Sequence, residues 1–391
     1  MLKFTFMKPL FLANKMNKRE FIKKTALGSA STLFWPLTSS PCLKVNLTDT
    51  KFMQEITYKE AVHVIETPKG LRCLICPNEC TLKEGETSDC HNRKVIRGKL
   101  YTLAYGNACA INIDPVEKKP LLHFKPGMPT FSFGTAGCNF SCLNCQNWEI
   151  SQVSPEDIRS YKATPQALVD AAIKQECSAI AYTYNEPTSY FEYMFETAKL
   201  ARKAGLHNLM ISNGYINPKP LMEIIPYLDA ANIDLKVFDD TTYQQLSSGK
   251  LKPVLDSLQT LKKHNIWLEI TNLIVPQWTD DMEYIDKMCK WLVKKGFENT
   301  PLHFSRFHPA HKLLHVRSTP LKTLLEARKI AKSRGVNYVY IGNVPEIDGE
   351  STFCSNCNKL LIQRKGYEIK ANYIQGSICP ECEHSIPGVW S

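Results

Sequence analysis

From about residue 129 onward the chain alternates short β-branched, apolar runs with longer segments whose apolar positions recur at helical spacing. The runs Thr130–Thr135, Ala179–Tyr184, Asn208–Ser212, Asn232–Val237, Trp267–Val275, Leu302–Phe307 and Tyr338–Ile341 predict strands. Between them, Thr164-Pro165, Asn217-Pro218, Thr279-Asp280-Asp281 and Thr319-Pro320 carry the polar caps and early prolines that open helices. Strand and helix alternate about six times. That rhythm predicts an α/β fold of parallel βα units, closing into a partial (β/α)6 barrel or opening into a doubly wound sheet. Both architectures gather their chemistry at the carboxyl ends of the strands. The unusual residues fall there: Cys138, Asn185-Glu186-Pro187, Ser212-Asn213-Gly214, Asp234-Leu235-Lys236 and His308.

Upstream, residues 55–128 read as turn-rich and cysteine-punctuated, ending in Asp114-Pro115-Val116-Glu117-Lys118-Lys119-Pro120. Four regions are therefore expected: a basic and apolar signal-like segment (1–50), a Cys-rich module (51–128), the partial barrel (129–345) and a C-terminal metal ribbon (346–391). With 391 residues and 43% apolar content the chain has enough material for a large core. No apolar run reaches the ~20 residues a bilayer span needs, so no membrane span is expected. The net charge of +10 is concentrated at the start, where residues 1–24 hold seven basic side chains against Glu20. No basic stripe interleaved with aromatics follows it, which argues against nucleic-acid binding.

Fifteen cysteines change the picture, because eleven fall into three tight groups. Such clustering in a long chain reads as metal ligation rather than as a disulfide framework. Cys42, Cys109, Cys177 and Cys289 lie outside the groups and read as small buried hydrophobes. Cys138, Cys142 and Cys145 stand on a glycine-containing loop directly after the first strand. A closed zinc site wants four ligands and this stretch offers no fourth. Three thiolates can instead wrap three corners of an iron–sulfur cube and leave one iron open. The alternatives are a catalytic zinc completed by a distant histidine, or simply buried thiols. Cys354, Cys357, Cys379 and Cys382 have the two-knuckle spacing of a zinc ribbon. Cys73, Cys76, Cys80 and Cys90 are less regular and suit zinc, an auxiliary iron–sulfur cluster or no metal.

The Cys-x3-Cys-x2-Cys loop resembles the signature of the radical S-adenosylmethionine (SAM) superfamily. The resemblance implies a TIM-like partial barrel, a [4Fe-4S] cluster and SAM, whose reductive cleavage yields a 5′-deoxyadenosyl radical that abstracts hydrogen from a substrate. Gln146-Asn147 is similar to the pair found in activases of glycyl-radical enzymes, which places Asn147 at the cofactor, while Asn144 replaces their aromatic residue. Tyr182–Pro187 resembles the motif whose carboxylate, here Glu186, accepts hydrogen bonds from the cofactor's amino group. By the same resemblance Ser212, Asn213, Asp234 and Lys236 line its methionine end, with Ile211 standing where some activases are acidic, and His308 approaches its ribose.

Nearly the whole chain from about residue 60 resembles the radical enzyme of the AmmeMemoRadiSam system. This implies partners of the Memo and AMMECR families and an electron donor of flavodoxin or ferredoxin type. The narrower enzymatic alternative is an activase that installs a glycyl radical on a partner protein; the alternative of another class is a non-catalytic metal-binding scaffold. Radical chemistry of this kind belongs to a reducing cytoplasm. The text from Met16 to Pro41 nevertheless resembles a twin-arginine export signal with Lys18 for the first arginine. Cys42 follows Pro41, a poor lipoprotein cleavage site, and no lipid anchor is expected.

Overall fold

A computed structural model describes residues 58–345 and 348–390. The signal-like segment, Cys42 and the start of the Cys-rich module lie outside the described residues.

The strand runs read from the sequence form β2 (Pro129–Thr135), β3 (Ala179–Tyr182), β4 (His207–Ser212), β5 (Ala230–Asp234), β6 (Trp267–Ile274), β7 (Leu302–Arg306) and β8 (Val339–Gly342). Consecutive strands pair in parallel through the whole series. Helical segments cross between them: α1 (Pro165–Lys174), α2 (Phe191–Lys203), α3 (Pro218–Ile224), α4 (Asp240–Ser247), α5 (Leu251–Lys263), α6 (Met282–Lys294) and α7 (Leu321–Ser333). The expected partial barrel is thus present, and β8 at one margin does not pair with the other margin.

Local chemistry sets the boundaries. The Thr164 hydroxyl accepts the Ala167 N–H at 3.2 Å, with Pro165 at the first helical position. Pro320 caps α7 rather than entering it, and the helix opens at Leu321. The third strand stops at Tyr182, two residues earlier than its apolar run, because Tyr184 turns to φ +73°.

The turn-rich reading of 55–128 missed one element, β1 (Asn107–Pro115), which pairs antiparallel with β2 from Asp114↔Thr130 to Ala108↔Thr135. The short strand Tyr161–Lys162 pairs with β1 and completes a nine-stranded sheet. The core sheet thus draws on residues from both sides of the boundary expected at 128. The remaining N-terminal strands form two small antiparallel sheets, and Thr352–Phe353, Leu360–Lys365 and Glu368–Asn372 form another.

The two faces of the main sheet differ as the two-residue strand period requires. Outward residues such as Phe131, Phe133, Ile180, Tyr182, Met210 and Ile233 join the large core. Several inward positions are alanines, which leave room for the segment after β1 on the concave side. Val116, Leu121, Phe124 and Met128 pack there against Ala179, Ala181, Leu209 and Ala230. The backbone of this plug is anchored by side chains of the sheet. Asn232 donates to the Pro120 carbonyl at 2.7 Å, and Glu269 accepts the N–H groups of Leu122 and His123 at 3.0 and 2.7 Å. Among the described residues no helix is long and apolar enough to cross a membrane.

Asp114 fastens the start of the plug, accepting from Lys118 and Lys119 at 2.7 Å each and from the Tyr184 hydroxyl at 2.8 Å. Burial pushes its carboxyl up, but Lys119, Lys118 and Tyr184 outweigh that and hold it down at about 2. A depressed carboxyl contributes stability that is full above its unfolded pKa and fades as pH falls through the folded one. Asp114→Asn is therefore expected to cost about 1–3 kcal/mol at neutral pH. The gap from wild type should close between roughly pH 4 and pH 2. Thermal unfolding across pH checks this, and a gap independent of pH would contradict it.

Candidate active site

The loop after β2 bends at Gly137, whose φ is +86° and whose position leaves no room for a Cβ: one built there would lie 2.2 Å from the Cys90 carbonyl oxygen. The bend turns Cys138, Cys142 and Cys145 onto one cavity of about 550 Å³ at the carboxyl ends of the strands. The loop is fastened from several sides. Leu143 N–H donates to Leu246 O at 2.9 Å, Lys312 N–H to Leu143 O at 3.0 Å and Gly137 N–H to Ile150 O at 2.8 Å. Among the described residues the cavity lining holds these three thiols and no fourth thiol or imidazole.

Burial first, then neighbouring Glu186 and Cys142, push the Cys138 thiol well above its ordinary range; burial and Cys142 raise Cys145 as well. A protein that keeps such thiols together without a cation opposes their ionisation, and a bound metal cluster reverses that sign.

Glu186 is 1% exposed and joins three structural pieces. Its carboxylate accepts the Thr188 N–H at 2.9 Å, the Ser212 hydroxyl at 2.8 Å and the Asn213 N–H at 2.7 Å. It is thus the cap of the short helix at Pro187–Tyr190 and the clasp between the ends of β3 and β4. The Asn213 amide in turn donates to Asn139 Oδ1 at 2.8 Å, inside the cysteine loop. Asn147 is tied to the Tyr184 carbonyl. Lys236 pairs with Asp234 at 3.1 Å. Burial pulls its pKa down, but Asp234 and Cys142 outweigh it and raise the value.

The residues read from the sequence are therefore gathered in one cavity: Cys138, Cys142, Cys145, Asn147, Glu186, Ser212, Asn213, Asp234 and Lys236, with Asn144 and Ile211 beside them. His308 stands apart. It is exposed, contacts Ser318 at 3.2 Å, and lines an adjoining cavity of about 700 Å³ that shares Gln146 and Tyr367 with the first.

Sequence reasoning missed Lys118, Lys119 and Tyr184, which belong to the same lining. Lys119 is 2% exposed in its side chain; burial brings its amine down to about 8 against the pull of Asp114. The adjacent lysines of Glu117-Lys118-Lys119 carried that signal, hidden by a stretch that reads as a linker.

The C-terminal cysteines form a second candidate centre. The sulfurs of Cys354, Cys357, Cys379 and Cys382 all lie within 4.8 Å of one another, with Cys354–Cys382 and Cys357–Cys379 each at 3.7 Å. A tetrahedron with metal–sulfur bonds of ~2.3 Å has sulfur–sulfur edges of ~3.8 Å. The Asn356 amide and the His384 backbone lower the Cys382 thiol from its ordinary range.

Residues 133–292 match the family model described as the Radical SAM superfamily. The chain is 47% identical over 300 residues, 77% of its own length and 89% of the relative's, to the uncharacterized protein MJ0808 of Methanocaldococcus jannaschii. The chain belongs to the radical SAM superfamily. It is also similar to the pyruvate formate-lyase 1-activating enzyme of Escherichia coli, at 24% identity over 164 residues, 40% of this chain and 65% of that enzyme. Among solved structures, Streptococcus suis SuiB bound to S-adenosylmethionine matches with a TM-score of 0.44 and 12% identity, over 61% of this chain and 56% of that one.

Radical SAM membership makes the chain an enzyme and implies a [4Fe-4S] cluster and SAM. The cavity fits such a load: it offers an incomplete thiolate set, and the amide oxygens of Asn144 and Asn185 in its lining are buried without hydrogen-bond partners.

The Gly137–Cys90 contact gives a direct check of the loop. Gly98 also has positive φ, +73°, yet has open space around it. Gly98→Ala is expected to cost only the ~1–2 kcal/mol of a left-handed alanine. Gly137→Ala should cost clearly more in denaturant unfolding, because it adds a backbone clash; equal losses would contradict the packing described.

Proposed function

We propose that Cys138, Cys142 and Cys145 each bind one iron of a [4Fe-4S] cluster, leaving the fourth iron to take the amino and carboxylate groups of SAM. The observation that carries this reading is a cavity whose lining, among the described residues, holds three thiols and no fourth thiol or imidazole. When bound, the two groups together supply a 5′-deoxyadenosyl radical that takes a hydrogen atom from the substrate.

The protein's part is to bind and orient. A carboxylate has about four acceptor sites and Glu186 has filled three, so one remains for an N–H of the cofactor's amino group. Lys236 spends one donor on Asp234 and turns the others to the cofactor's carboxylate. Ser212 and Asn213 act by holding Glu186 and the cysteine loop in place. Asn147 braces the turn after β3. The Asn144 and Asn185 oxygens accept from the adenine amine, and His308 approaches from the adjoining cavity toward the ribose side. No side-chain base is required, since hydrogen abstraction moves no proton to the protein.

Lys118 and Lys119 line the cavity and share one counter-ion, Asp114, which leaves one positive charge to favour an anionic substrate group. The electron donor is of flavodoxin or ferredoxin type, and Memo- and AMMECR-family proteins are the proposed partners. A narrower reading, installation of a glycyl radical on a partner protein, draws support from the likeness to a pyruvate formate-lyase activating enzyme. We assign zinc to the C-terminal quartet, a structural ribbon over 346–391 flanking the barrel at 129–345 and the Cys-rich module at 51–128. The chemistry favours the cytoplasm; the twin-arginine-like text at 16–41 supports export of the folded protein as the alternative.

Anaerobically reconstituted protein given dithionite and SAM is expected to release 5′-deoxyadenosine, and Cys142→Ala to fall to background. Equal release from both would overturn the assignment. Metal analysis of the Cys354→Ser/Cys379→Ser variant should show loss of about one zinc per chain, with 346–391 opened to protease. Unchanged zinc in that variant would refute the ribbon.

A further inference from the structure

Cys73, Cys76, Cys80 and Cys90 take no part in the reaction just described, yet they are not scattered. Cys73 ends the strand Gly70–Cys73, which pairs with Thr81–Leu82, and its N–H donates to Cys80 O at 3.0 Å, closing a loop that carries Cys76. Cys90 lies on the neighbouring turn, where Ser88 Oγ is 3.1 Å from its sulfur. Cys73 and Cys90 are 7% and 8% exposed. Cys73, Cys76 and Cys80 pack in one core cluster, and the backbone of Cys90 and the side chain of Asn78 both abut the turn Gly137–Asn139.

Two observations say what such a set holds. The first is spacing. Among the described residues the C-terminal quartet is the group whose ligand atoms close to within 4.8 Å of one another, as a single ion demands, and this N-terminal quartet does not close that far. Neither does the Cys138–Cys145 trio, so both sets lack the close spacing of the single-ion quartet. The second is a buried guanidinium with an unused donor. Arg93 is 1% exposed and bonds Glu192 at 2.6 Å through Nη1, while its Nη2 has no partner. Burial opposes its charge, and Glu192, Cys73 and Cys90 sustain it. Four thiolates around a resting four-iron core leave a net negative charge, which such a guanidinium offsets and bonds.

We infer that Cys73, Cys76, Cys80 and Cys90 hold a second iron–sulfur cluster, closed by four protein thiolates and built directly behind the loop of the first. The two sets share a wall. The Cys90 carbonyl abuts Gly137, Asn92 donates to Ala136 O at 2.8 Å, and Asn78 donates to Asn139 O at 2.9 Å. Asn217, instead of capping α3, donates to Leu74 O and Cys76 O at 2.9 and 3.2 Å. With every iron ligated by protein, this cluster has no site for SAM, so its spectrum is indifferent to the cofactor.

The inference is independent of the reaction proposed above, and its test separates the two. The full chain carrying Cys138→Ala, Cys142→Ala and Cys145→Ala, reconstituted anaerobically with iron and sulfide, is expected to retain about four irons and four sulfides per chain. On reduction it should give an electron paramagnetic resonance signal that added SAM leaves unchanged. In Cys73→Ala/Cys90→Ala the iron should fall from about eight to about four per chain, and the remaining signal should respond to SAM. Zinc, or no metal, in the triple variant would overturn the inference. Should that variant not fold, Mössbauer spectroscopy of the intact protein decides: about eight irons support a second cluster, and about four, all in one cluster that responds to SAM, refute it.

Discussion

A loop that offers three thiols to one cavity is under pressure from its own chemistry, since buried sulfurs resist ionisation and repel one another once charged. Beside the backbone bonds of Gly137, Leu143 and Lys312, a buried carboxylate helps keep it in place. Glu186 takes hydrogen bonds from Thr188, Ser212 and Asn213, and Asn213 passes the constraint to Asn139 within the cysteine loop. Removing that carboxylate would leave buried donors unsatisfied at the ends of two strands and free the loop between them. The same group has one acceptor site left over, the one the proposed function gives to the cofactor.

The concave face explains why the cavity sits at one end of the sheet. The plug from Val116 to Met128 fills the lower half of the open barrel against small inward residues, and its backbone polar groups are met by Asn232 and Glu269. Above it the lining turns polar and charged, with Lys119 at the floor and Lys236 at the wall. The sheet thus supplies rigidity while the loops at its carboxyl ends supply chemistry.

Much of this was legible in the chain. Six strand runs were found within about two residues of their limits, and the seventh, Asn232–Val237 for Ala230–Asp234, within three, because buried parallel strands write continuous apolar text. The cysteine loop, Glu186, Ser212-Asn213 and Asp234–Lys236 were legible because each interrupts an apolar run at a strand end. Two things were hidden. β1 carries the alternation Ile111-Asn112-Ile113-Asp114, too polar to stand out and followed by prolines. The plug and Lys119 form no periodic pattern, and their place depends on a concavity that exists only once the sheet curves. The joint role of Glu186 as cap and clasp was likewise invisible, since Ser212 and Asn213 reach it from another strand.

The account rests on an iron that no protein atom ligates. Electron–nuclear double resonance on the reduced protein, with SAM isotopically labelled at its amino nitrogen and carboxylate oxygens, reads that coordination directly. Strong couplings to both labels, absent without the Cys138–Cys145 trio, are the predicted result. A cluster signal that shows neither coupling, with the cofactor bound in excess, would contradict it.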